Sequence, residues 1–164
     1  MGDRTYTRFI VPISVFADAD KTRAVGAAFG YSTADVHATL LADPLPDEAS
    51  GHESCAVRLV DERPCLVYEE EDCAYGGAEI EDALITAGIP FIQLNATGQE
   101  YGPSSTVFDG DTSEVIRLSH DLHPVVGIGV IDGRIMVDPQ EVTDYERYVA
   151  LRRSVVLWPA ASAP

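Results

Sequence analysis

Lysine is almost missing from this chain. Lys21 stands alone, and with the arginines it makes 11 bases against 27 acids in 164 residues, a net charge of −16. A field of that sign repels nucleic acid and anionic lipid and draws in basic proteins and cations. Cysteine is scarce too: Cys55, Cys65 and Cys73 are an odd number without a close pair. That excludes a disulfide framework and the paired short spacings of structural zinc. No apolar run approaches the ~18 residues of a membrane-spanning helix. The opening MGDRTYTRF lacks the apolar core of a signal peptide, so the expected location is the cytoplasm. There is no G-x-S-x-G turn, no Walker loop and no G-x-G-x-x-G after a strand. No cofactor and no catalytic residue are expected on those grounds.

What is present is an ordinary globular composition, 46% hydrophobic and 23% charged, at about the length of one domain. The expected unit is residues 1–158, followed by a flexible tail over 159–164. Charge is distributed unevenly. Residues 1–42 hold four acids and four bases, residues 43–82 thirteen acids and two bases, and residues 83–164 ten acids and five bases. Half of the net charge lies in Asp61–Asp82, with nine acids and one base, Arg63. Solubility alone does not require such clustering, although acidic surfaces favour it.

The pattern along the chain predicts an α+β fold: a mostly antiparallel sheet with about three helices packed on one side. Tyr6–Phe16 is a β-rich run in which Pro12 points to an edge or a bulge. Asp18 caps a helix whose Val25, Ala28 and Phe29 share a face, and Gly30 ends it. Asp35–Ala42 alternates partly and is assigned as a strand; Asp43–Ser54 is a loop. Cys55–Asp61 and Pro64–Glu71 form two strands with a short turn between them. After Gly76–Gly77, the spacing of Ile80, Ala83, Leu84 and Ala87 gives one apolar helical face that stops at Gly88. Phe91–Asn95, Thr106–Phe108 and Val115–Leu118 are strands. Asp132-Gly133 joins Val125–Ile131 to Arg134–Val137 in a hairpin. The last helix opens at Asp138 with Pro139 at its first position and Glu141 where a capping box would place it, and runs to about Arg153.

Candidate chemistry is thin. His52, Cys55, Cys65 and Cys73 are ligand types at the wrong spacings for zinc, and the two strand cysteines suit small buried hydrophobes. His120 and His123 flank Asp121 in a loop, where a spacing of three need not converge. The strongest feature is the row of carboxylates itself: Glu69, Glu70, Glu71 and Asp72 emerge from a strand, and Glu79, Glu81 and Asp82 follow after a short break. Such a row can stand in for a nucleic-acid backbone in a basic groove, with Tyr68, Tyr75 and Tyr101 as anchors. A charged edge that deters aggregation is the plain alternative.

The stretches Y-E-E-E at 68–71, A-Y-G-G at 74–77, L-I-T-A-G-I-P-F at 84–91, and G-Q-E-Y-G-P followed by S-S-T-V-F at 98–108 resemble uncharacterised small acidic proteins of bacterial phages and plasmids. That resemblance implies an accessory or counter-defence role of anti-CRISPR or anti-restriction type, and carries no catalytic residues with it. The expected function is therefore a non-enzymatic acidic interaction protein. Its seven carboxylates engage a basic, nucleic-acid-handling partner, and neutralising Glu69–Asp72 removes binding without unfolding the chain. A small metal-dependent hydrolase using His52, His120 or His123, or a phage assembly module, are the alternatives.

Overall fold

The computed structural model describes residues 4–46, 54–74, 77–96 and 102–158; for Arg4, Thr5, Asp72 and Ala74 it describes the backbone alone. Its framework is a seven-stranded sheet. In chain order its strands are β1 (Arg4–Pro12), β2 (Leu45–Pro46), β3 (Cys55–Val60), β4 (Arg63–Ala74), β5 (Phe91–Asn95), β6 (Ser104–Phe108) and β7 (Ser113–Arg117). Their spatial order is β2-β3-β4-β1-β5-β6-β7, antiparallel throughout except for the parallel pair β2–β3. A separate hairpin pairs β8 (Ile128–Ile131) with β9 (Arg134–Val137).

The first strand of the chain lies in the middle of the sheet. Pro12 therefore marks no edge: β1 runs between β4 and β5, and the β5 ladder stops at Ile10, so the missing N–H of Pro12 breaks no bond on that side. Pro12 ends the strand and leads into a 3₁₀ turn over Ile13–Ala17.

Among the described residues four α-helices flank the sheet: α1 (Ala19–Phe29), α2 (Thr33–Leu40), α3 (Ala78–Thr86) and α4 (Pro139–Val156). The stretch assigned as a strand over 35–42 is helix α2. Ser32 accepts from the Asp35 N–H while the Asp35 carboxylate accepts from the Ser32 N–H, a reciprocal cap that nucleates the first turn. The helices are also not all on one side. Phe9, Val11, Val57 and Leu66 pack with Val25 and Phe29 of α1 and Leu84 of α3. Ile10, Cys65, Val67, Ile92 and Val107 pack on the opposite face with Tyr148, Val155 and Val156 of α4. Strand alternation divides the core between the two faces.

Aromatic rings tie the three-helix face together. Phe9 meets Phe29 and Phe91 at centroid distances of 6.0 and 5.9 Å, and Phe29 stacks on Tyr68 at 4.5 Å. On the other face the Tyr148 hydroxyl donates to Ser105 Oγ at 2.9 Å, which satisfies the polar end of a fully buried ring. Cap and hairpin signals hold at the C-terminal end: the Asp138 side chain accepts from the Gln140 N–H, and Asp132 and Gly133 take φ of 51° and 74°.

Candidate partner surface and the ion network behind it

Strand alternation separates the first two carboxylates of the acidic row. Glu69 pairs with Arg8 across β1 and shares the α4 face with Cys65 and Val67; Glu70 pairs with Thr7 and shares the three-helix face with Leu66 and Tyr68. Glu69 is built into the sheet. Its carboxylate accepts from the Tyr6 hydroxyl at 2.8 Å and lies 3.4 Å from Arg8 Nε and 3.0 Å from Arg58 Nη2. The Arg58 side chain is only 3% exposed, so this carboxylate balances a guanidinium that water barely reaches. Burial, then the neighbouring Glu69, pushes the Tyr6 phenol well above its ordinary range.

Glu70 accepts from the Tyr68 hydroxyl at 2.9 Å. Beyond it the two strands fall out of step. Between Thr7 and Thr5, β1 spends one residue, Tyr6, where β4 spends Glu71 and Asp72. This bulge brings Glu70 and Cys73 to the same face, since Thr7 and Thr5, their partners, share one. Cys73 is buried, and its thiol is pushed up to about 11 by burial and then by Glu70. Burial likewise pushes Cys55 up to about 11. Neither is a poised nucleophile. Glu71 is exposed, and the side chain of Asp72 lies outside the described residues.

The remaining three carboxylates ride on α3. Glu79 and Asp82 are exposed and Glu81 is half-buried, near a helix N-terminus whose unpaired N–H groups favour negative charge. Burial first, and the Asp82 charge second, raise the Glu81 carboxyl above its ordinary value. A carboxyl raised by folding stabilises the fold while protonated, and that contribution is lost as pH rises through its folded value. Glu81→Gln is therefore expected to raise the melting temperature slightly near pH 7 and to leave it unchanged near pH 3. Thermal melts at both pH values check this; an equal gain at both would assign the effect to packing.

The other sequence candidates are scattered. His52, Tyr75 and Tyr101 lie outside the described residues. His123 is exposed in a loop closed by the Ser119 N–H donating to the His123 carbonyl at 2.8 Å. Among the described residues no group of three or more His, Cys, Asp or Glu side chains is placed to hold a metal ion.

Sequence reasoning missed a cleft of about 700 Å³ between α4 and the β3–β4 turn. Arg63, Arg152 and Arg153 line it together with Asp61, Tyr145 and His123, and Arg152 is ion-paired to Asp61. The turn itself is tight. Asp61 and Glu62 hold φ of 47° and 62°, a left-handed pair without glycine. Arg152 and Arg153 come near the end of α4, where cations suit the helix dipole, and only the fold brings Arg63 beside them. No family model, curated protein or solved structure matches the chain.

Proposed function

We propose that this chain is a non-enzymatic binding protein that presents an acidic surface, formed by Glu70, Glu71, Glu79, Glu81 and Asp82, to a basic site on a nucleic-acid-handling protein. One observation carries this reading. Among the described residues none of these five carboxylates is ion-paired, whereas Asp20, Asp61, Glu69, Glu114, Glu141 and Asp144 each have an arginine within 4 Å. Arg8, Arg23, Arg58, Arg117, Arg147 and Arg152 are spent elsewhere, and the acids of the bulge and of α3 are left to an external cation. Glu69, held by Arg8 and Arg58, is the member of the row least available to a partner.

Carboxylates spaced along a bulged strand and a helix can displace the counterions that a basic groove holds for a phosphate backbone. The resemblance to phage and plasmid proteins makes an inhibitor of anti-CRISPR or anti-restriction type the specific form of this proposal. The test is capture of bacterial nucleic-acid-binding proteins on the immobilised chain and on a Glu71→Gln/Glu79→Gln/Asp82→Asn variant. The expected result is a basic protein that duplex DNA competes away and that the variant retains about tenfold less, because three charge contacts are gone. Retention of the same proteins by both forms would sink the reading.

A further inference from the structure

The β8–β9 hairpin is an apolar arm that no part of the described chain covers. All eight of its residues are exposed, and β8 and β9 hydrogen-bond only to each other. Its register pairs Ile128 with Val137 and Val130 with Ile135, so four β-branched side chains share one face. They are 71%, 41%, 71% and 72% exposed in that order. Ile131 and Met136, on the other face, are 61% and 49% exposed. The four side chains of the first face leave on the order of 400 Å² of apolar surface in water, within the range for the largest patch of a monomer. A two-stranded hairpin is marginal by itself, and needs further strands or a packed face to be stable.

The arm is nonetheless held in a set direction. The Glu141 carboxylate accepts from the Gly127 N–H through Oε2 and pairs with Arg117 through Oε1, which joins the base of the hairpin to α4 and β7. A Cβ at position 127 would meet Glu141 Oε2 at 2.9 Å, so glycine is needed for that approach. The apolar face is presented on a fixed base.

We propose that this face is a homodimer interface, in which the Ile128, Val130, Ile135 and Val137 faces of two copies pack together about a twofold axis. Charge argues for a second copy over another partner. Residues 125–137 hold one acid, Asp132, and one base, Arg134, in a chain of net charge −16. Two copies approach there with little local repulsion, and a basic protein finds no surplus of acids. Asp132 and Arg134 flank one turn, so an interface that places the same patch on both sides is self-complementary in charge. The composition agrees: the face is aliphatic and uncharged, as the cores of homodimer interfaces tend to be. The four-residue face exposes about half of the ~800 Å² that each partner contributes to a standard interface, so the association is expected to depend on concentration.

Sedimentation velocity on the full chain from about 1 to about 100 µM, at salt that screens the acidic surfaces, reads the association directly. The natural chain is expected to sediment as a dimer across the upper part of that range. Val130→Lys/Ile135→Lys is expected to sediment as a monomer, with lysines forced into the apolar contact. Val130→Thr/Ile135→Thr keeps β-branching and so guards against loss of the hairpin itself; it is expected to weaken dimerisation about tenfold or more. A natural chain that stays monomeric at the highest concentration, or threonine variants that associate as the natural chain does, would overturn the proposal.

Discussion

Glu69→Gln is expected to lower stability by about 3 kcal/mol or more, the scale of removing one partner from a buried ion pair. Glu71→Gln, two residues away on the same strand, is expected to stay within about 0.5 kcal/mol, as exposed substitutions do. The contrast follows from the partners. Glu69 serves Tyr6, Arg8 and Arg58 together, and the side chains of Arg8 and Arg58 are 14% and 3% exposed. The amide of glutamine can still accept a hydrogen bond, but it leaves two largely buried guanidiniums without the carboxylate they share. Urea titration of the two variants against the natural chain measures the difference as a shift in midpoint at constant slope. Equal midpoints for Glu69→Gln and Glu71→Gln would mean that water reaches the network and the pairs contribute little.

Replacing Arg58 by methionine in the Glu69→Gln background should recover part of that loss, because the charge that needed the carboxylate is gone. The result also governs how the acidic surface is tested. Neutralising Glu69 to Asp72 as a block, which the sequence suggests as a mild change, removes a structural carboxylate together with the exposed ones. Loss of binding in that variant would report on the fold as well as on the surface.

The sequence itself puts Glu69 in step with Cys65 and Val67, and Glu70 in step with Leu66 and Tyr68, so the division of the acidic row between two faces was legible. What stood across Glu69 was not. Arg8 meets it only through the β1–β4 register, across 61 residues of chain, and Arg58 only through the β3–β4 pairing. The bulge at Glu71–Asp72 was equally hidden, since no glycine or proline marks it. Local signals fared well where the chemistry is local: the Asp132-Gly133 turn, the Asp138 cap and the Gly88 stop are present, and Ile80, Leu84 and Ala87 of α3 pack on the core while Ala83 is exposed. Glu141 shows the limit of that logic. Its place three residues past the cap suggests a capping box, yet its carboxylate serves Arg117 and Gly127. In α2 the error ran the other way. Partial alternation over 35–42 suggests a strand, whereas Ser32 and Asp35 cap each other and start a helix.

Gly77→Ala should cost about 3 kcal/mol, far more than the same change at Gly30. Both glycines sit in the left-handed region, at φ of 78° and 75°, so both variants lose the roughly 1 kcal/mol that a Cβ costs there. Around Gly30 there is no atom within 4 Å of the new Cβ. At Gly77 the Cβ would fall 2.9 Å from Phe9 Cε2, 3.1 Å from Phe9 Cζ and 3.2 Å from Thr7 Cγ2. Phe9 cannot step aside, since it is fully buried between Phe29 and Phe91, and overpacking of that kind costs about 1–3 kcal/mol more. Gly77 caps α3, so relief can come only by moving the start of the helix away from the sheet, and Glu79, Glu81 and Asp82 move with it. Thermal melts of the two variants separate the terms, at roughly 2–4 °C per kcal/mol for a chain of this size. Matching shifts would mean that the Phe9 ring yields and backbone strain sets the whole cost. A larger shift at Gly77, together with weaker capture of a basic partner below the melting temperature, would show that the contact with Phe9 fixes where the acids of α3 stand.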